Sequence, residues 1–215
     1  MRRDRNEVKS RNLFAKLLNG YALAASASSV GIIACAAPLH AEIVYTPANV
    51  SLFTGGPVYD LDLNGDGVTD FEFRDLRLFG TGAYLYVKGN SVMISLGQFP
   101  YALAAGARVG SGRRFAPGNH PNGRVIENVN QSSSIGYWGN VANHYIGLKF
   151  QINGQTHYGW VRMSIQVKVQ QPPSLKVRIT GYAYETVPNK GLLAGQTMDA
   201  DATGSLGSLA LGSAK

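Results

Sequence analysis

The segment LKFQINGQTHYGWV, residues 148–161, limits the fold more than any other part of the chain. Asn153-Gly154 sits between two runs that alternate apolar and polar side chains, the strongest short-range signal for a β-hairpin. A two-residue turn there sets Ile152 opposite Gln155. Pairing then runs Phe150 with His157, Lys149 with Tyr158, Gly147 with Trp160 and Ile146 with Val161. QQPPS next turns the chain into a third alternating run, LKVRITGYAYE.

Successive side chains of a strand point to opposite faces, so the three strands divide into two sets. Ile146, Leu148, Phe150, Val161, Met163, Ile165, Val167, Leu175, Val177 and Ile179 make an apolar core face. Tyr145, Lys149, Tyr158, Trp160, Arg162, Arg178, Tyr182 and Tyr184 make a face of rings among cations. Other short runs, EIVY, AYLYV, SVMISL and RVIENV, are punctuated by Gly, Pro, Asn and Ser, and no amphipathic helix is legible after residue 41. With 26 glycines in 215 residues, the pattern predicts an all-β chain, an antiparallel β-sandwich (jelly-roll-like) over residues 42–196 with a tail at 197–215. Residues 97–143, Gly-rich and basic, read as a long surface loop that could lie over the aromatic face.

Residues 1–41 have the composition of a secretory signal peptide. A basic start is followed by a small, apolar stretch and by Leu-His-Ala before EIVY, which places cleavage after Ala41. IIAC, residues 32–35, offers an alternative lipobox in which Cys35 becomes a lipid anchor. Removing 1–41 lowers Lys+Arg from 20 to 14 and Asp+Glu from 13 to 11, so the net charge falls from +7 to +3. Most of the basic character belongs to the leader, which removes the charge argument for nucleic-acid binding. Cys35 is the only cysteine. An exported chain cut after Ala41 therefore has no disulfide to fasten its loops.

The acids are concentrated in one place, DLDLNGDGVTDFEF, residues 60–73. Asp62-x-Asn64-x-Asp66-Gly67-x-x-Asp70 puts oxygen donors at alternate positions ahead of a glycine that permits a sharp turn, the pattern of a loop that wraps Ca²⁺. Carboxylates this close repel one another unless a cation neutralises them. Asp62, Asn64, Asp66 and Asp70 are the expected side-chain ligands, with the carbonyl of Val68 as another. A donor set made of oxygens suits a structural calcium ion, and no His or Cys is nearby. Phe73 stands where an EF-hand needs a bidentate Glu, and both flanks read as strands. The stretch resembles the strand–loop–strand calcium loops of FG-GAP and integrin-type propeller repeats, although it occurs once here.

The aromatic face admits two readings. Tyr158, Trp160, Arg162, Tyr182 and Tyr184 could stack on and hydrogen-bond a polysaccharide, or the rings could be structural, with Trp160 covering Gly147. His157, opposite Phe150, is expected to be a satisfied core residue. A sandwich-fold glycan hydrolase would need a carboxylate pair, for which only Glu127 and Glu185 lie in strand-like segments. His120 and His144 make no ligand spacing. The leading expectation is therefore a non-catalytic protein.

EIVYTP, the acidic loop, YIGLKFQINGQTHYGWVRM, GYAYETVPNKGLLAGQT and the closing SLGSLALG together resemble a group of secreted bacterial proteins of unknown function related to PEP-CTERM-type exported proteins. The resemblance covers most of the chain. It implies a β-sandwich body exported from a Gram-negative-type cell, at the surface, in the periplasm or in the medium, with no established activity. The ending TGSLGSLALGSAK departs from that family: it has no Pro-Glu-Pro cue and is too short to span a bilayer.

Overall fold

The computed structural model describes residues 42–78, 82–96, 99–118 and 123–199. The expected leader with Cys35, His120 and the tail beyond Asp199 lie outside the described residues. No helix among those described is long and apolar enough to cross a membrane.

Among the described residues twelve strands follow in chain order: β1 (Ile43–Phe53), β2 (Tyr59–Leu61), β3 (Phe71–Leu78), β4 (Gly82–Met93), β5 (Arg108–Val109) and β6 (Phe115–Gly118), then β7 (Arg124–Val129), β8 (Ser134–Gly136), β9 (His144–Ile152), β10 (Gln155–Lys168), β11 (Ser174–Glu185) and β12 (Leu192–Leu193). The described residues are all-β and antiparallel, as their alternating runs predict. The main sheet runs β1-β11-β10-β9-β4-β3-β2, with β6 and β7 also paired to β4 and β8 paired to β7.

β4 belongs to two halves of this sheet. Its first half pairs with β3 on one edge and with β7 on the other. Its second half pairs with β9 and with β6. The change comes at Gly89, whose φ is +114°. A side chain there would collide with the carbonyl oxygen of Asp70, so only glycine lets the strands approach this closely. The sheet folds over at this point and encloses one apolar cluster. Phe71 and Phe73 of β3, Leu85 of β4 and Ile126 of β7 meet Leu148 of β9, Met163 of β10 and Ile179 of β11.

The central hairpin has the register its sequence predicts. Gln155 pairs with Ile152, His157 with Phe150, Tyr158 with Lys149 and Trp160 with Gly147. Asn153 and Gly154 have φ of +50° and +75°, positive at both turn positions, as a type I′ turn requires. All ten residues of the predicted core face join the cluster, Val167 at its margin.

The other predicted face does not survive along β11. The β10–β11 ladder slips one residue, with Arg162 opposite Gly181 but Met163 opposite Ile179. Thr180 is the extra residue, and a bulge reverses the side to which every later side chain points. Tyr182 and Tyr184 therefore turn towards the main core, where Tyr184 meets Phe150 edge-on at 5.7 Å between ring centres. Gly181 is needed because a Cβ would stand 2.7 Å from the Tyr45 hydroxyl.

Asp75 is the anomaly of this core. It is 1% exposed on the inward side of β3. Its Oδ2 accepts a 3.3 Å hydrogen bond from the Thr54 hydroxyl, and its Oδ1 has no partner. Burial lifts its carboxyl to about 7, only partly opposed by Thr54 and by Arg77. In the unfolded chain the same group titrates near 3.8. Between these values the folded chain holds a proton that the unfolded chain has lost, so stability falls as pH rises from about 4 to about 7 and is level above. Asp75→Asn should remove that fall. Its melting temperature should match the parent near pH 4 and exceed it by several degrees at pH 8. Parallel melting curves across this range would show that Asp75 ionises freely in the fold.

Candidate functional site

The acidic loop joins β2 to β3, so its two ends are held by a strand pair. Tyr59 lies opposite Phe73 and Leu61 opposite Phe71. The Asp70 amide closes the loop by donating to the Leu61 carbonyl at 2.9 Å. Gly65 and Gly67, at φ of +77° and +85°, supply the left-handed turns. Phe73, at the position that excludes an EF-hand, is a buried core ring.

Within the loop the acids organise the backbone. Asp62 Oδ1 accepts from the Gly65 and Asp66 amides at 2.7 and 3.2 Å, and its Oδ2 accepts from the Gly67 amide at 2.7 Å. Asp66 Oδ1 accepts from the Val68 amide, and its Oδ2 accepts from the Asn64 side-chain amide. Asp70 Oδ2 accepts from the Leu63 amide at 2.9 Å. Four of the five predicted ligands are thus tied together by side-chain hydrogen bonds, and Asp70 anchors the loop to the core.

The electrostatics differ along the loop. Hydrogen bonds from Asn64 and then from Val68 hold the exposed Asp66 carboxyl below its ordinary value. Burial raises that of Asp70, the Leu63 amide opposes this, and the charges of Asp66 and Asp62 raise it further. Tyr184 is raised mainly by burial, then by the charges of Glu42, Asp62 and Asp70. Asn64 Oδ1 is buried and has no hydrogen-bond donor. An oxygen-only donor set, an orphaned oxygen and a carboxylate under like-charge pressure suit a hard cation such as Ca²⁺. Among the described residues no three His, Cys, Asp or Glu side chains converge as a metal-binding group. A cation at this loop would be held by oxygens of Asp62, Asn64, Asp66 and Asp70, and a carboxylate such as that of Asp62, with about four acceptor positions, can serve amides and a cation together.

The aromatic residues are arranged otherwise than a stacking surface needs. Trp160 is 0% and Tyr158 6% exposed, in a second apolar cluster with Met93, Leu103, Val109, Tyr145 and Leu192. Tyr145 meets Trp160 edge-on at 5.1 Å, and the Trp160 indole N–H donates to the Gln196 carbonyl at 3.2 Å. Arg162 is spent on Thr180 and Tyr45. With Tyr182 and Tyr184 on the opposite side of the sheet, the five do not form one open surface. The cover comes from β5 and Phe115, within residues 97–143 that read as a surface loop but contain strands β5 to β8, and from β12, which carries no strand signal in the sequence.

Glu127 and Glu185 are both buried. Glu127 accepts from the Ser134 hydroxyl and from the Trp138 amide, which fastens β8 and the following loop. Glu185 accepts from the Val187 amide and pairs with Lys190 at 2.9 Å, and Lys190 also bridges to Asp199. His157 is buried, with Nδ1 2.9 Å from the Glu185 carbonyl oxygen, as expected of a satisfied core histidine.

The second cluster yields a prediction. Trp160→Ala should destabilise the chain by about 3–5 kcal/mol, the usual cost of truncating a buried tryptophan. Urea unfolding measures this. A loss below about 1 kcal/mol would show that the cover over Trp160 is not packed as a core.

Comparison with protein-family models, with curated proteins and with solved structures finds no match to this chain.

Proposed function

We propose that this is an exported, non-catalytic β-sandwich protein of the cell envelope or extracellular matrix, fastened by one structural calcium ion. The observation that carries the reading is the loop Asp62–Asp70, five oxygen donors on a hairpin whose last member is locked to the bend of β4. A cation held there would neutralise the loop and tie β2, β3 and β4 together. The leader-like residues 1–41 support export. With Cys35 confined to them, a metal would do the fastening that secreted domains of this kind often leave to disulfides. The engagement of Glu127 and Glu185 with their own neighbours supports a scaffold rather than a hydrolase.

Thermal unfolding of the full chain as recovered from the cell, in calcium and then in chelator, tests this. At about a hundredfold excess over Kd, calcium should add about 2.7 kcal/mol, a melting shift of roughly 5–10 °C for a domain of this size. Asp66 is exposed, so Asp66→Ala should melt like the parent in chelator and show no calcium shift. Equal melting of the parent in both buffers would remove the calcium reading. N-terminal sequencing of the recovered protein, expected to begin at Glu42, tests export separately.

A further inference from the structure

The sheet face that carries Trp160 is covered along only part of its length. Beyond Arg162 the same side of β1, β11 and β10 is open and forms a cavity of about 470 Å³. The strand register sets its lining in two rows. In one row Ser51, Arg178 and Ser164 lie side by side. In the next, Phe53, Lys176 and Gln166 do. Each row has a cation at its centre and a hydroxyl, an amide or a ring on its flanks. The rows are about 7 Å apart, two residues along a strand. A smaller hollow continues the groove past Lys176 to Lys168 and Ser174, which also face one another.

The charge on these strands is one-sided. β1, β9, β10 and β11 contain Lys149, Arg162, Lys168, Lys176 and Arg178, and their only acid is Glu185. Glu185 is buried and paired with Lys190. Lys176 and Arg178 are exposed, and among the described residues neither has an acidic partner. Arg178 gives one N–H to Asn49 and keeps the rest of its five-donor fork. Phe53 is 54% exposed at the edge of the groove.

We infer that this groove binds an acidic polysaccharide, with Lys176 and Arg178 on its carboxylates. Ser51, Ser164 and Gln166 are short polar groups of the kind that exchange hydrogen bonds with sugar hydroxyls. Phe53 offers an apolar face to the C–H side of a sugar ring. A single-stranded nucleic acid is a poorer match, because such strands are held by stacking successive bases on several rings, and this groove has one. The site lies apart from the acidic loop and shares with the proposed function only its extracellular setting.

Binding of the full chain to polygalacturonate, measured by calorimetry in chelator and low salt, tests the inference without involving calcium. The parent should bind, with affinity falling as salt rises. It should not bind neutral galactan. K176Q/R178Q should weaken binding at least tenfold at an unchanged melting temperature, and F53A should weaken it less. K176Q alone gives the same readout if the double variant melts early. No binding of polygalacturonate, equal binding by parent and K176Q, or equal affinity for an oligothymidylate would overturn the inference.

Discussion

The contact between Gly89 and the Asp70 carbonyl is the constraint on which the rest of the structure depends. β4 is twelve residues long and serves both halves of the sheet. It can do so only if it bends, and it bends where the absence of a Cβ lets β3 come against it. The Asn90 amide, donating to the same Asp70 oxygen at 3.2 Å, secures the contact. Without this fold-over, Phe71 and Phe73 would not face Leu148 and Met163, and the apolar sides of the two halves would stay in water. The acidic loop ends at the same residue. Its charge repulsion therefore acts on the bend itself, and so would any cation that relieved it.

Legibility in the sequence followed the range of the signal. The β9–β10 hairpin was readable to the residue because Asn153-Gly154 sets the turn and alternation sets the faces, both local rules. The core face extended correctly into β11 as far as Ile179. It then failed, because a one-residue bulge at Thr180 carries no side-chain signature. Gly181 looks like any strand glycine until Tyr45 is seen lying against it. The cost of that missed residue was the aromatic face, since Tyr182 and Tyr184 changed sides. Trp138, fully buried with its indole N–H donating to the Pro100 carbonyl, sits in irregular chain where no periodicity marks it as core.

The acidic loop was legible in kind but not in arrangement. The spacing of Asp62, Asn64, Asp66 and Asp70 named the donors. It did not show that Asp62 would cap three amides of its own loop, or that Asp70 would be buried at the bend. Asp75 lies only five residues further on and has a different fate. It faces the core at a position where alternation calls for an apolar side chain, and among the described residues the Thr54 hydroxyl is the one hydrogen-bond donor to its carboxylate. Thr54 in turn accepts from the Leu175 amide, so a polar chain crosses from β3 to the start of β11. Burial gives these two acids opposite uses. Asp70 spends an oxygen on closing a loop, whereas the core raises the Asp75 carboxyl to about 7.

The covered and open parts of the β1-β11-β10 face meet near the same bulge. Above it, Trp160 and Tyr158 need cover, and residues 99–118 and 190–196 provide it through short β5 and β12 and the Gln196 carbonyl. Below it, the outward positions are Ser, Gln, Lys, Arg and Phe53, which need none. The division is therefore written in residue type and lies near Arg162, whose guanidinium is turned back onto Thr180 at the bulge. A sheet with one face in the main core could have covered the whole of its other face. Here the covering chain stops where Trp160 and Tyr158 stop, and among the described residues the cations beyond it, Lys176 and Arg178, have no acidic partner. That leaves a rigid, positively charged groove on strands that the main core holds from behind.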